Sequence, residues 1–186
     1  MREFTIHLFY YDQGMDMDVS EWLKVIISDQ GVLVQPIVGD ESIENEKDLL
    51  YNFLNETIEP TLDRLRKRVC PICKIRMRKI FERKSSLPSE TGVFLRSRGY
   101  HDVSSKEKQI ESVYKCRRCG LTFKCFEKTI DGGASYQLTY KLMKDGKSAD
   151  YALLDGMKTE KSFLMASLDF LDGLIKMGLI DKEVIE

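Results

Sequence analysis

Cys70-Pro71-Ile72-Cys73 and, after 42 intervening residues, Cys116-Arg117-Arg118-Cys119-Gly120 decide how this chain is read. A C-x-x-C turn brings two thiolates to one side of a tight loop, with backbone N–H groups aimed at the sulfurs. Two such loops facing each other supply four soft anionic ligands in a tetrahedron, the set that Zn²⁺ takes in a closed structural site. Cys70, Cys73, Cys116 and Cys119 are therefore the candidate ligands of one structural zinc ion. With no position left for water, the ion contributes folding free energy rather than catalysis. Rubredoxin-type iron uses the same ligands, and a C-x-x-C pair can also be a redox dithiol or a disulfide. A thioredoxin-type dithiol opens a helix, however, and both pairs here are flanked by strand patterns. Cys125 reads as a small buried strand residue, His7 as a packed strand residue, and His101 as a minor alternative ligand.

Working outward, Leu121-Thr122-Phe123 continues from the second pair as a strand, Lys74 to Lys84 leaves the first, and Ile110 to Lys115 enters the second. These features, with Cys70-Pro71-x-Cys73 and Cys116-x-x-Cys119-Gly120, resemble the zinc-ribbon family over residues 70–130, about a third of the chain. The resemblance implies a cysteine pair at the turn of each of two β-hairpins. It also implies a place among proteins that bind DNA, RNA or neighbouring proteins, or that use the ribbon as a staple. Two departures stand out: Lys74 occupies the position of the usual glycine, and the long separation makes room for an insertion at about 85–108.

The 186 residues are 42% hydrophobic and 32% charged, a globular composition with no apolar run long enough to span a bilayer. Met1-Arg2-Glu3-Phe4 opens no signal peptide, and five cysteines do not pair off. An intracellular, cytoplasmic chain without membrane association is the expectation. The net charge of −1 conceals a division. Residues 1–59 hold 3 Lys+Arg against 13 Asp+Glu, residues 60–130 hold 19 against 7, and residues 131–186 hold 7 against 10. The middle segment faces an anionic partner, or else the acidic N-terminal part packs on it and neutralises it.

Phe4 to Tyr11 reads as a strand, Ser20 as the cap of a short helix through Trp22, Val25 and Ile26, and Val32 to Val38 as a second strand with Pro36 at an edge. If the strands are parallel neighbours, this is a small βαβ unit. From Ser42, Leu49, Leu50, Phe53, Leu54, Ile58, Leu62 and Leu65 recur at helical spacing, with Pro60 expected to kink or break the helix. Arg64-Leu65-Arg66-Lys67-Arg68 places cations where the helix dipole favours them. Asp131-Gly132-Gly133 reads as a turn. Tyr136 to Leu142, a tight Asp145-Gly146 turn and Ala149 to Leu154 form a hairpin in position to extend the ribbon sheet. Thr159 then caps a last helix, with Gly178 at C′. The fold class is α+β: an acidic α/β part (1–69), a basic zinc ribbon (70–130), and a hairpin plus helix (131–186).

Basic residues surround the cysteine pairs: Arg76, Arg78, Lys79, Arg83 and Lys84 after the first, and Lys115, Arg117, Arg118 and Lys124 around the second. Arg76 and Arg78 share a strand face. The insertion carries Arg96, Arg98 and Tyr100. Four thiolates and Zn²⁺ add −2, which leaves the segment at about +10. Among the aromatics, Phe81, Phe123 and Phe126 read as core, and Phe94 and Tyr100 as stacking candidates. This pattern suits nucleic acid, bound directly or within a nucleic-acid-bound complex, and a non-enzymatic role. Phosphate-loop, dinucleotide, metalloprotease and nucleophile-elbow motifs are absent from the sequence. Two other readings remain open. One is an adaptor or inhibitor working through the acidic N-terminal part, compatible with homodimerisation. The other is a metal-dependent nuclease using Asp12, Asp16 and Asp18.

Overall fold

A computed structural model describes residues 1–12, 16–37, 46–88, 98–99, 106–130, 135–154 and 160–180. Strand β1 (Arg2–Asp12) pairs antiparallel with β2 (Met17–Ser28), which pairs antiparallel with β3 (Gly31–Pro36). Phe4, Ile6 and Leu8 on β1 and Leu23, Val25 and Ile27 on β2 are all buried. The helix expected from Ser20 is therefore strand, and the N-terminal unit is an antiparallel meander rather than βαβ. Trp22, Val25 and Ile26 do sit at helical spacing. The alternating set Leu23, Val25 and Ile27 prevails because it buries one face while the backbone pairs with β1 along eleven positions. Pro36 closes β3 at the sheet edge, where its missing N–H leaves no partner wanting.

Helix α1 (Glu46–Arg66) runs through Pro60 without a break. Pro60 forfeits one backbone bond, yet Leu50, Leu54, Ile58, Leu62 and Leu65 are buried on both sides of it, and that continuous stripe keeps the helix going.

The second sheet has five strands in chain order, all antiparallel: β4 (Arg78–Pro88), β5 (Lys106–Lys115), β6 (Thr122–Ile130), β7 (Ser135–Lys144) and β8 (Lys147–Leu154). The strand expected to leave the first cysteine pair at Lys74 thus begins at Arg78. The strands also run further into the expected insertion, which shrinks to 89–105, and of these only 98–99 are described. The turn expected at 131–133 lies outside the described residues. Asp145 and Gly146, at φ 51° and 76°, form the left-handed pair of the β7–β8 turn.

Helix α2 (Glu160–Lys176) is the shared layer. Its Gly173 lies against Ala149 of β8, Phe170 meets Tyr151 edge-on at 5.6 Å, Phe163 stacks on Tyr51 of α1 at 5.6 Å, and Asp169 pairs with Arg2 of β1 at 2.5 Å. The C-terminal cap is the expected one. Gly178, at φ 72°, donates to the Ile175 carbonyl, and Leu179 to the Leu174 carbonyl. The expected N-cap, Thr159, lies outside the described residues.

The five-stranded sheet has one covered and one open face. Ser112, Phe123, Cys125, Leu138, Tyr140, Leu142, Ala149 and Tyr151 point inward and are buried. The alternate positions of every strand point the other way, and none of those described is buried. No helix among the described residues is long and apolar enough to cross a membrane.

Candidate metal centre and the surface around it

Both cysteine turns are built to one plan. The Cys70 N–H donates to the Ile75 carbonyl and the Cys116 N–H to that of Leu121, each at 2.8 Å. Lys74 N–H donates to the Cys70 carbonyl at 2.9 Å, and Gly120 N–H to that of Cys116 at 3.0 Å. The residue after each second cysteine is left-handed: Lys74 at φ 58° and Gly120 at φ 75°. Lys74 thus adopts the conformation that glycine takes in the other turn, and its Nζ donates to the Pro71 carbonyl. The second turn joins β5 to β6, the hairpin position expected from the resemblance. The first lies between α1 and β4, closed by the Val69–Arg76 bridge and the bond from Met77 N–H to the Arg68 carbonyl.

The turns converge. The Sγ atoms of Cys70, Cys73, Cys116 and Cys119 lie within 4.8 Å of one another, with Cys70 and Cys119 3.6 Å apart. None is in a disulfide. Burial pushes the Cys70 thiol up to about 12. Burial acts the same way on Cys116, but N–H groups of Cys119 and Arg118 aimed at its sulfur outweigh it and leave the thiol at about 7. The four side chains could coordinate one metal ion, and they form the one such cluster among the described residues. Asp16 is exposed at the β1–β2 turn, while the side chains of Asp12 and Asp18 lie outside the described residues.

One supporting residue carries no signal in the sequence. Arg68, read there as part of a basic helix end, leaves α1 at φ 59°. Its guanidinium lies 4.8 Å from the Tyr114 ring and 5.5 Å from the Phe123 ring, and it donates to the Leu65 carbonyl at 3.2 Å. It fastens the first turn to the sheet. Cys125 is buried beside it, as expected, and burial pushes that thiol up to about 11.

The cations sort by position. Arg76, Arg117 and Arg118 are exposed on the turns themselves. Arg78, Arg83, Lys115 and Lys124 lie on the open sheet face, where Arg78 is opposite Lys115. Arg76 precedes β4, and buried Met77 separates it from Arg78, so both turn outward. Lys79 and Lys84 lie on the other face, held by Glu82 at 3.0 and 3.3 Å. Hydrogen bonds from these two lysines keep the Glu82 carboxyl below its ordinary range. Arg98 is exposed in a turn, and Arg96 and Tyr100 lie outside the described residues, as does Phe94. Phe123 is core, but Phe81 is 45% exposed and Phe126 only partly buried, both on the open face, which corrects their reading as core. Comparison with protein-family models, curated proteins and solved structures yields no match.

Proposed function

We propose that this is a zinc-ribbon protein in which Cys70, Cys73, Cys116 and Cys119 hold one structural Zn²⁺, and that the basic surface around the metal binds nucleic acid, directly or within a nucleic-acid-bound complex. The ion identity rests on donor chemistry. Four thiolates in a closed tetrahedron with Zn–S of about 2.3 Å stand about 3.8 Å apart, which suits sulfurs within 4.8 Å of one another.

The observation that carries the binding role is how the charge is spent. Among the described residues, the one ion pair joining the acidic segment 1–59 to the basic segment 60–130 is Arg66–Glu59, within α1. Other acids and bases of the N-terminal segment pair with α2 instead, as in Lys161–Asp29 and Lys47–Glu160. The cations at the metal centre are thus left facing solvent, where a phosphate backbone satisfies them.

Elemental analysis is expected to find one zinc per chain, lost on Cys70→Ser with Cys116→Ser. Fluorescence anisotropy with labelled oligonucleotides is expected to show affinity falling steeply with salt. Changing Arg76, Lys115, Arg117 and Arg118 to Glu abolishes binding while circular dichroism stays unchanged; undiminished affinity in that variant rejects the surface. The adaptor reading draws on Leu33 and Ile37, large apolar residues 53% and 47% exposed on the three-stranded sheet. Co-purification of one protein, with no nucleic acid retained at low salt, would favour it.

A further inference from the structure

We infer that the open face of the five-stranded sheet is a platform for single-stranded nucleic acid, on which unpaired bases stack against Phe81 and Phe126 while Arg78, Arg83, Lys115 and Lys124 hold the phosphates. This rests on the nucleic-acid reading above and specifies the form of the ligand.

The face is unusual for what it exposes. Successive rows across it run Arg78–Lys115–Thr122, Phe81–Val113–Lys124 and Arg83–Glu111–Phe126. Phe81 is exposed and Phe126 partly so, and each ring has cations in the next row or the next strand. Six Lys or Arg point to this side from the described residues, against Glu107, Glu111 and Asp150. Two of the six are engaged, Lys128 with Glu107 at 3.1 Å and Lys141 with Asp150 at 3.8 Å. Arg78, Arg83, Lys115 and Lys124 form no ion pair among the described residues, so the face presents a polyanion with four uncommitted cations. Phe81 and Phe126 are two strands and one row apart, about 12 Å by strand spacing and rise.

Beside Phe126 is a cavity of about 130 Å³ lined also by Arg83, Ser85, Gln109 and Glu111. Its lining combines one aromatic surface with donors and acceptors from neighbouring strands. That is the equipment for holding a splayed-out base, by stacking on its face and hydrogen bonding to its edge. Bases in a duplex are already stacked and paired, and their faces are closed to such rings. Basic residues alone would serve single and double strands alike. The rings make the difference, because aromatic stacking is sequence-tolerant and needs an unpaired base.

The test is anisotropy on the full, metal-loaded chain, with a labelled 12-mer of oligothymidylate, its oligouridylate counterpart and a 12-base-pair duplex as probes. Binding to one or both single strands more tightly than to duplex is expected, and the two single strands separate a DNA from an RNA ligand. Phe81→Ala is expected to lower the ratio of single-strand to duplex affinity about tenfold. Phe126→Ala lowers it similarly, and Phe81→Trp preserves it. Phe81→Leu, which keeps apolar area without a ring, is expected to behave like Ala. A ratio unmoved by Phe81→Ala, Phe126→Ala and the double variant overturns the platform. If the charge reversal at Arg76, Lys115, Arg117 and Arg118 still abolishes binding, the broader reading survives that result. A wild-type chain that binds none of the three probes overturns both.

Discussion

Gly173 tests the packing that decides which sheet face is free. A Cβ built there would meet the Ala149 Cα at 2.6 Å, the Ala149 Cβ at 2.7 Å and the Ser148 carbonyl oxygen at 3.0 Å. Ordinary carbon contacts are at about 3.5–4.0 Å. The nearest atom is backbone, so α2 must move off β8 by about 1 Å rather than a side chain turning aside. Local helix propensity alone makes Gly173→Ala stabilising by about 1 kcal/mol. Overpacking of this kind costs about 1–3 kcal/mol, and with backbone as the obstacle the upper end applies, so the net loss is about 2 kcal/mol. For a chain of this size that is a Tm about 4–8 °C lower. Thermal and urea unfolding followed by circular dichroism measure it, and Gly173→Val is expected to be worse. A Tm raised by Gly173→Ala would mean that α2 does not lie on β8 as described. The assignment of covered and open faces, and the platform with it, would then fall.

Ser167 is fully buried in α2 and its hydroxyl has no hydrogen-bond partner among the described residues; Ser167→Ala is expected to raise stability by about 1 kcal/mol in urea titration. Lys74 already holds the left-handed conformation natural to glycine, so Lys74→Gly is expected to stay within about 1 kcal/mol of wild type, the relief of strain offsetting the added chain entropy. Lys74→Val should cost about 2 kcal/mol and weaken metal retention against a competing chelator. Arg68→Ala loses two ring contacts and a charged donor to a carbonyl, about 2–3 kcal/mol together. Arg68→Lys should recover part of it in the same unfolding assay.

The features legible in the chain were those whose cause is local. A C-x-x-C turn and an Asp-Gly pair specify their backbone within four residues. The Cys116 turn, the Asp145-Gly146 turn and the Gly178 cap all sit where local chemistry puts them, and the alternation over Phe4 to Tyr11 marks a strand. Residues 20–26 misled because Trp22, Val25 and Ile26 fit one period and Leu23, Val25 and Ile27 the other. Pairing with β1, remote from either pattern, made the choice. Pro60 misled similarly, since burial on both sides of it outweighs one lost hydrogen bond.

What the amino-acid order determined unaided was a set of four thiols in two matched turns, a cationic middle segment and the alternation of its strands. Alternation says that a strand has two faces and is silent on which one a helix will cover. That choice belonged to α2, docked on β8 through Gly173 and Phe170. It put Tyr151 inside against Phe170, Arg68 lies over Phe123 on the same face, and Phe81, Phe126 and six cations, four of them unpaired among the described residues, lie on the other.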